Sequence, residues 1–166
     1  MNRRQLMQSA LAASAAAPSW LYAQAKMATL SGVTLEGQPY DLAAEQGKVV
    51  LVFFWATDCA VCRDKMPELR LNYEAWRGKG FQLVAVNVDK SLASVQGYQD
   101  ILDRTVPKAQ RFPSLWRGAG AHHDSFGAVT QTPTTFVLDR KHKLVNEIRG
   151  RIAPGLWDDI AELVLA

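Results

Sequence analysis

Val49-Val50-Leu51-Val52-Phe53-Phe54-Trp55-Ala56-Thr57-Asp58-Cys59-Ala60-Val61-Cys62-Arg63 decides the fold of this 166-residue chain. Val49 to Phe54 has the signature of a buried strand: short, β-branched and aromatic, without charge. From Cys62 onward the spacing turns helical, with Met66, Leu69, Tyr73 and Trp76 on one face. Cys59 and Cys62, the only two cysteines, therefore sit where a strand hands over to a helix N-terminus. Free backbone N–H groups and the positive end of the helix dipole stabilise a thiolate there. A thiolate attacks disulfides, and a second thiol one turn away can release the resulting mixed disulfide.

Outward from this stretch the chain alternates strand and helix. On the N-terminal side, Thr29-Leu30 with Val33-Thr34-Leu35, and Tyr40-Asp41-Leu42 after the Gly37-Gln38-Pro39 turn, predict a small hairpin. On the C-terminal side, Pro67 is expected to kink the first helix, which ends by Gly78-Lys79-Gly80. Phe81 to Val88 predicts a strand, and Leu92 to Arg104 a helix with Leu92, Val95, Tyr98, Ile101 and Leu102 at helical spacing. Val106 to Gly127 is expected to be mostly loop, with a short strand at Phe112–Trp116. Thr134 to Leu138 and Leu144 to Arg149 predict a hairpin across a charged turn, and a closing helix follows Pro154. Strand–helix–strand units imply parallel pairing and the late hairpin adds antiparallel strands, giving an α/β mixed central sheet with helices on both faces.

The first 25 residues have the composition of an export signal that is cleaved. Arg3-Arg4 precede a weakly apolar, small-residue run, and Ala23-Gln24-Ala25 is an A-x-A cleavage site. The paired arginines resemble a twin-arginine signal. Without Arg3 and Arg4 the balance is 17 basic against 16 acidic residues, which gives no electrostatic case for nucleic acid. In an oxidising compartment a lone cysteine pair tends toward the disulfide unless something reduces it.

C-x-x-C in a β-α-β context is the cue for a thioredoxin-like redox motif. A tetrahedral zinc site would need two more ligands, and His122, His123 and His142 have no i,i+3 or i,i+4 partners. A structural disulfide more often joins distant segments, because a longer loop constrains the unfolded chain more.

Phe54-Trp55-Ala56-Thr57-x-Cys59-x-x-Cys62-Arg63-x-x-x-Pro67, with Gly47-Lys48-Val49-Val50-Leu51-Val52, Val84 to Val88 and Thr132-Pro133-Thr134-Thr135-Phe136-Val137-Leu138-Asp139, resembles the thioredoxin superfamily in its exported TlpA/ResA-like branch. The resemblance implies one thioredoxin-like domain over residues 26–166, a thioredoxin fold with an N-terminal β-hairpin extension. It implies Cys59 as exposed nucleophile and Cys62 as buried resolving thiol. It places a cis-proline at Pro133, with Thr132 offering backbone hydrogen bonds to an extended client segment. Trp55, beside the dithiol, is expected to cover the site and touch substrate.

Three positions depart from the family. Asp58 stands where Trp is usual; it either caps the helix and disfavours the thiolate, or is a solvated surface aspartate. Phe53 stands where thioredoxins carry a buried acid. The branch's acid after Asn-Val is displaced or lost, since Asp89 and Lys90 follow Asn87-Val88; Asp89 is the candidate proton acceptor for Cys62. Third, Ala60-Val61 between the cysteines carries neither Pro, Gly nor charge.

The expected function is that of a periplasmic thiol–disulfide oxidoreductase reducing client disulfides, with apocytochrome c and copper-site assembly proteins among the client classes that the resemblance implies. Its partners would be disulfide-bearing client proteins and a membrane dithiol donor, and it would act as a monomer. No cofactor beyond the redox-active Cys59–Cys62 disulfide and no metal are expected. The alternative is a copper-delivery module holding Cu(I) on the thiolates; His122 or His123 would then join them, against the simpler reading of exposed loop histidines. A peroxide-reducing relative would want Thr-x-x-Cys, and Ala56 stands at that threonine position.

Overall fold

The computed structural model describes residues 27–166, so the expected signal segment, residues 1–25, lies outside the described residues. The chain runs β1 (Leu30–Val33), β2 (Pro39–Asp41), β3 (Val49–Trp55), α1 (Ala60–Trp76), β4 (Phe81–Asn87), α2 (Leu92–Thr105), β5 (Ser114–Trp116), β6 (His123–Asp124), β7 (Thr134–Leu138), β8 (Leu144–Arg149) and α3 (Leu156–Leu165). A five-stranded mixed sheet has the order β5-β4-β3-β7-β8, and a second sheet has the order β2-β1-β6.

β3 is apolar along its whole length because it is covered on every side. Parallel β4 lies on one edge and antiparallel β7 on the other, and all seven residues are buried. Val49, Leu51, Phe53 and Trp55 face a core built with Cys62, Met66 and Leu69 of α1, Val95 of α2, and Leu156 and Ile160 of α3. Val50, Val52 and Phe54 face the opposite core with Leu30, Tyr40, Leu42, Leu115 and Phe136.

The helices flank the sheet, but not on both faces as the sequence led us to expect: α1, α2 and α3 all contribute to the first core. The steps β3–α1–β4 and β4–α2–β5 are parallel crossovers that move the same way across the sheet, and right-handed crossovers of that kind put both helices on one side. The second face is roofed by the small sheet, the 3-10 turn at Leu42–Glu45, and Phe126 and Val129.

The N-terminal hairpin forms with Ser31 opposite Asp41 and Val33 opposite Pro39, and β6 adds a third strand through Leu30–Asp124 and Ser31–His123. α1 runs unbroken through Pro67 and stops where Gly78 takes a left-handed φ of 85°, the usual glycine role just past a helix end. α2 buries Val95 and Gln99, while Leu92 and Ile101 remain exposed.

The sheet has two distinct poles. β3 and β4 run toward the cysteines, while the β7–β8 turn lies at the other end, where the Gly47 N–H donates to Arg140 C=O (3.0 Å) and the Ala28 N–H to His142 C=O (2.8 Å). Among the described residues no helix is long and apolar enough to cross a membrane.

Candidate active site

The site is built where β3 ends. Ala56 to Cys59 form a tight turn closed by the Cys59 N–H on Ala56 C=O (3.2 Å), and α1 starts at Ala60. Cys59 is the N-cap: its Sγ accepts the Cys62 N–H at 3.1 Å. Cys59 and Cys62 form a disulfide. Cys62 is wholly buried in the core shared by the three helices, while Cys59 is partly exposed. An attacking reagent thus reaches Cys59 and not Cys62.

The β3–β7 register brings the second element to this pole. Phe54 pairs with Thr134, so Pro133, one residue earlier, stands level with Trp55. The Thr132–Pro133 peptide is cis. Pro133 is buried and its carbonyl accepts the Gly150 N–H at 2.8 Å. Thr132 is partly exposed, and its N–H and C=O have no partner among the described residues.

Trp55 does not cover the site. It is 2% exposed and packs against Tyr98 of α2 at 4.9 Å. Strand alternation explains the correction: residue 55 shares a face with 49, 51 and 53, so its indole points into the helix-covered core. Its Nε1 has no hydrogen-bond partner among the described residues.

Asp58 is exposed, and the cap it was a candidate for belongs to Cys59. Among the described residues Asp89 makes no hydrogen bond to a cysteine. Its Oδ1 accepts the Thr57 N–H at 3.0 Å, its Oδ2 the Asn87 Nδ2–H at 3.2 Å. Its own N–H donates to Asn87 Oδ1 at 2.9 Å and its carbonyl accepts Trp116 Nε1–H at 2.7 Å. Arg63 Nη1 donates to the Thr57 carbonyl. Asn87, Trp116 and Arg63 are supports that sequence reasoning missed; the one available signal was Asn87, a lone amide ending an apolar run. Beside the turn lies an open cleft of about 470 Å³ lined by Thr57, Asp58, Lys90, Ser91 and Ser94 among others.

The histidines divide. His123 is exposed on β6, but the His122 side chain is buried, with Nε2 2.8 Å from Asp124 Oδ2. Arg117 grips the same carboxylate through Nε (2.8 Å) and Nη2 (2.9 Å) and lies over the Phe54 ring. The exposed-loop reading thus fails for His122. Burial opposes charge on Asp124, but hydrogen bonds from His122, Arg117 and the Phe126 N–H outweigh it and hold the carboxyl below the usual range.

Residues 22–147 match the family model described as AhpC/TSA family. The chain belongs to the AhpC/TSA family. Within it, this chain is 28% identical over 116 residues to the thiol-disulfide oxidoreductase ResA of Bacillus thuringiensis subsp. konkukian, covering 70% of this chain and 63% of that protein. It is 36% identical over 111 residues to the thioredoxin-like protein YneN of Bacillus subtilis, covering 65% and 60% of the two chains. Among solved structures, the thioredoxin-family thiol:disulfide interchange protein of Chlorobium tepidum superposes with a TM-score of 0.67 at 26% identity, over 84% of this chain and 95% of that one. The AhpC/TSA-family chain thus has a thioredoxin fold, and the ResA-like resemblance read from its motifs stands.

Proposed function

We propose that this protein is an exported thiol–disulfide oxidoreductase that reduces disulfides of client proteins. The observation carrying the proposal is the Cys59–Cys62 disulfide at the start of α1, with one sulfur accessible, the other buried, and the open backbone of Thr132 at the same end of the sheet. The relatives' names, thiol-disulfide oxidoreductase and thiol:disulfide interchange protein, support the same chemistry.

In the reduced protein Cys59 is the nucleophile. Its thiolate faces the Cys62 N–H and the other free amides of the first helical turn, which favour negative charge. It attacks one sulfur of a client disulfide; a Cys59–client bond forms and the other client sulfur leaves as a thiolate. The Cys62 thiolate then attacks Cys59 Sγ, restores the Cys59–Cys62 disulfide and releases the second client thiolate. Each cycle moves two electrons to the client and leaves this protein oxidised. A dithiol donor must return them, and outside the cytoplasm that donor is a membrane protein. Thr132 N–H and C=O would pair with an extended client segment beside Cys59. The protein acts as a periplasmic monomer after removal of residues 1–25, and proteins awaiting haem or copper insertion at paired cysteines are the client class.

The experiment replaces Cys62 with Ser. The Cys62→Ser protein is expected to accumulate covalent adducts through Cys59 that thiol reagents dissolve, and wild-type protein to reduce insulin disulfides with dithiothreitol as electron source. Absence of both adducts and insulin reduction would sink the reading.

A further inference from the structure

We infer that Asp89 is a positioning residue, not a proton acceptor: with Asn87 and Trp116 it clamps the turn that carries Cys59. The inference rests on the oxidoreductase reading and assigns this carboxylate a different task from the acid its relatives' pattern led us to expect.

Every polar atom of Asp89 is committed. Asn87 is fully buried at the end of β4 and holds Asp89 twice, through its amide oxygen and its amide nitrogen. Trp116 at the end of β5 holds the Asp89 carbonyl. These contacts aim Oδ1 across 32 residues of sequence at the Thr57 N–H. Thr57 lies two residues before Cys59, inside the turn closed by the Cys59 N–H on Ala56 C=O. Its carbonyl is held by Arg63, one turn into α1. Both peptide groups of Thr57 are therefore pinned, one from the sheet and one from the helix. Lys90, the next residue, is exposed and basic, so no acid of this loop remains for Cys62.

Pinning the turn fixes the distance between the two sulfurs, and that distance sets how readily the Cys59–Cys62 disulfide closes. A loosened turn lowers the effective concentration of one thiol at the other. The disulfide then becomes easier to reduce, and resolution of a client adduct by Cys62 slows.

The test measures the equilibrium of the dithiol with glutathione redox buffers, which needs no client. Asp89→Ala is expected to lower the constant for disulfide formation about tenfold, equivalent to about 30 mV for a two-electron couple. Asp89→Asn keeps the acceptor for Thr57 but sets an NH2 against the Asn87 Nδ2–H, so it is expected to fall between wild type and the Ala variant, within about threefold of wild type. Trp116→Phe, which removes only the indole donor, shifts the constant in the same direction by about twofold and covers the case in which Asp89→Ala does not fold. A proton acceptor would behave otherwise: Asn would be as impaired as Ala, and both would lose the same inflection from the pH profile of Cys59 alkylation. Either that pattern or an unchanged Ala variant overturns the inference. Failure of the oxidoreductase reading looks different, since wild-type protein would then not exchange with glutathione at all.

Discussion

At the scale of single residues, Asp124 is the charge with most at stake. It is buried, doubly bonded by Arg117 and bonded by His122. Because its carboxyl sits below the usual range when folded, it stabilises the folded state above the unfolded-state value of about 3.9. That contribution fades as pH falls through the lower folded value. Asp124→Asn is thus expected to lose on the order of 2 kcal/mol at neutral pH, with the gap to wild type closing below about pH 4; denaturant melts at several pH values check it. A gap independent of pH would remove the charge from the account. The cysteines were legible as residues because spacing alone puts both at one helix start. The Asp89 clamp was not, since Thr57 lies 32 positions from Asp89 and only the fold brings them near; the His122–Asp124 pair, two positions apart, was missed because its burial follows from the packing of this loop over the sheet and from no local pattern.

At the scale of elements, β3, β4, β7 and β8 announced themselves through apolar or alternating runs, and their bounds differ from expectation by one residue at most. β6 did not. His123-Asp124 has no apolar pattern, and its strand character comes wholly from pairing with Leu30 and Ser31. In α2 the helical period was legible but its buried face was not: both Leu92 and Ile101 fit the spacing, yet the crossover turns Val95 and Gln99 inward. Two glycines test the helices with opposite signs. Gly78 ends α1 at a left-handed φ, so Gly78→Ala is expected to cost about 1 kcal/mol. Gly97 lies inside α2 with open space where a methyl would go, so Gly97→Ala is expected to add about 0.5–1 kcal/mol. Urea melts of the two variants should move in opposite directions; a shift in the same direction contradicts the assigned backbone conformations.

At the scale of the whole molecule, one sheet carries two unlike faces. Three helices cover the face that buries Cys62; a small sheet and a loop cover the other. Leu30, 1% exposed, joins that roof to the main sheet. Leu30→Ala is expected to cost about 2–5 kcal/mol within a single transition of unchanged denaturant slope; a second transition would mean that the roof unfolds on its own. The fold class was legible from chain order, whereas the asymmetry of the faces needed the strand order, which adjacent sequence does not encode. The Ala28–His142 hydrogen bond ties the start of the described chain to the pole opposite the disulfide. For anyone immobilising the protein, that is a practical handle: a biotin, a resin linker or a fluorescent fusion joined ahead of Met27 leaves from the far pole, and Cys59 stays turned toward the bulk solution.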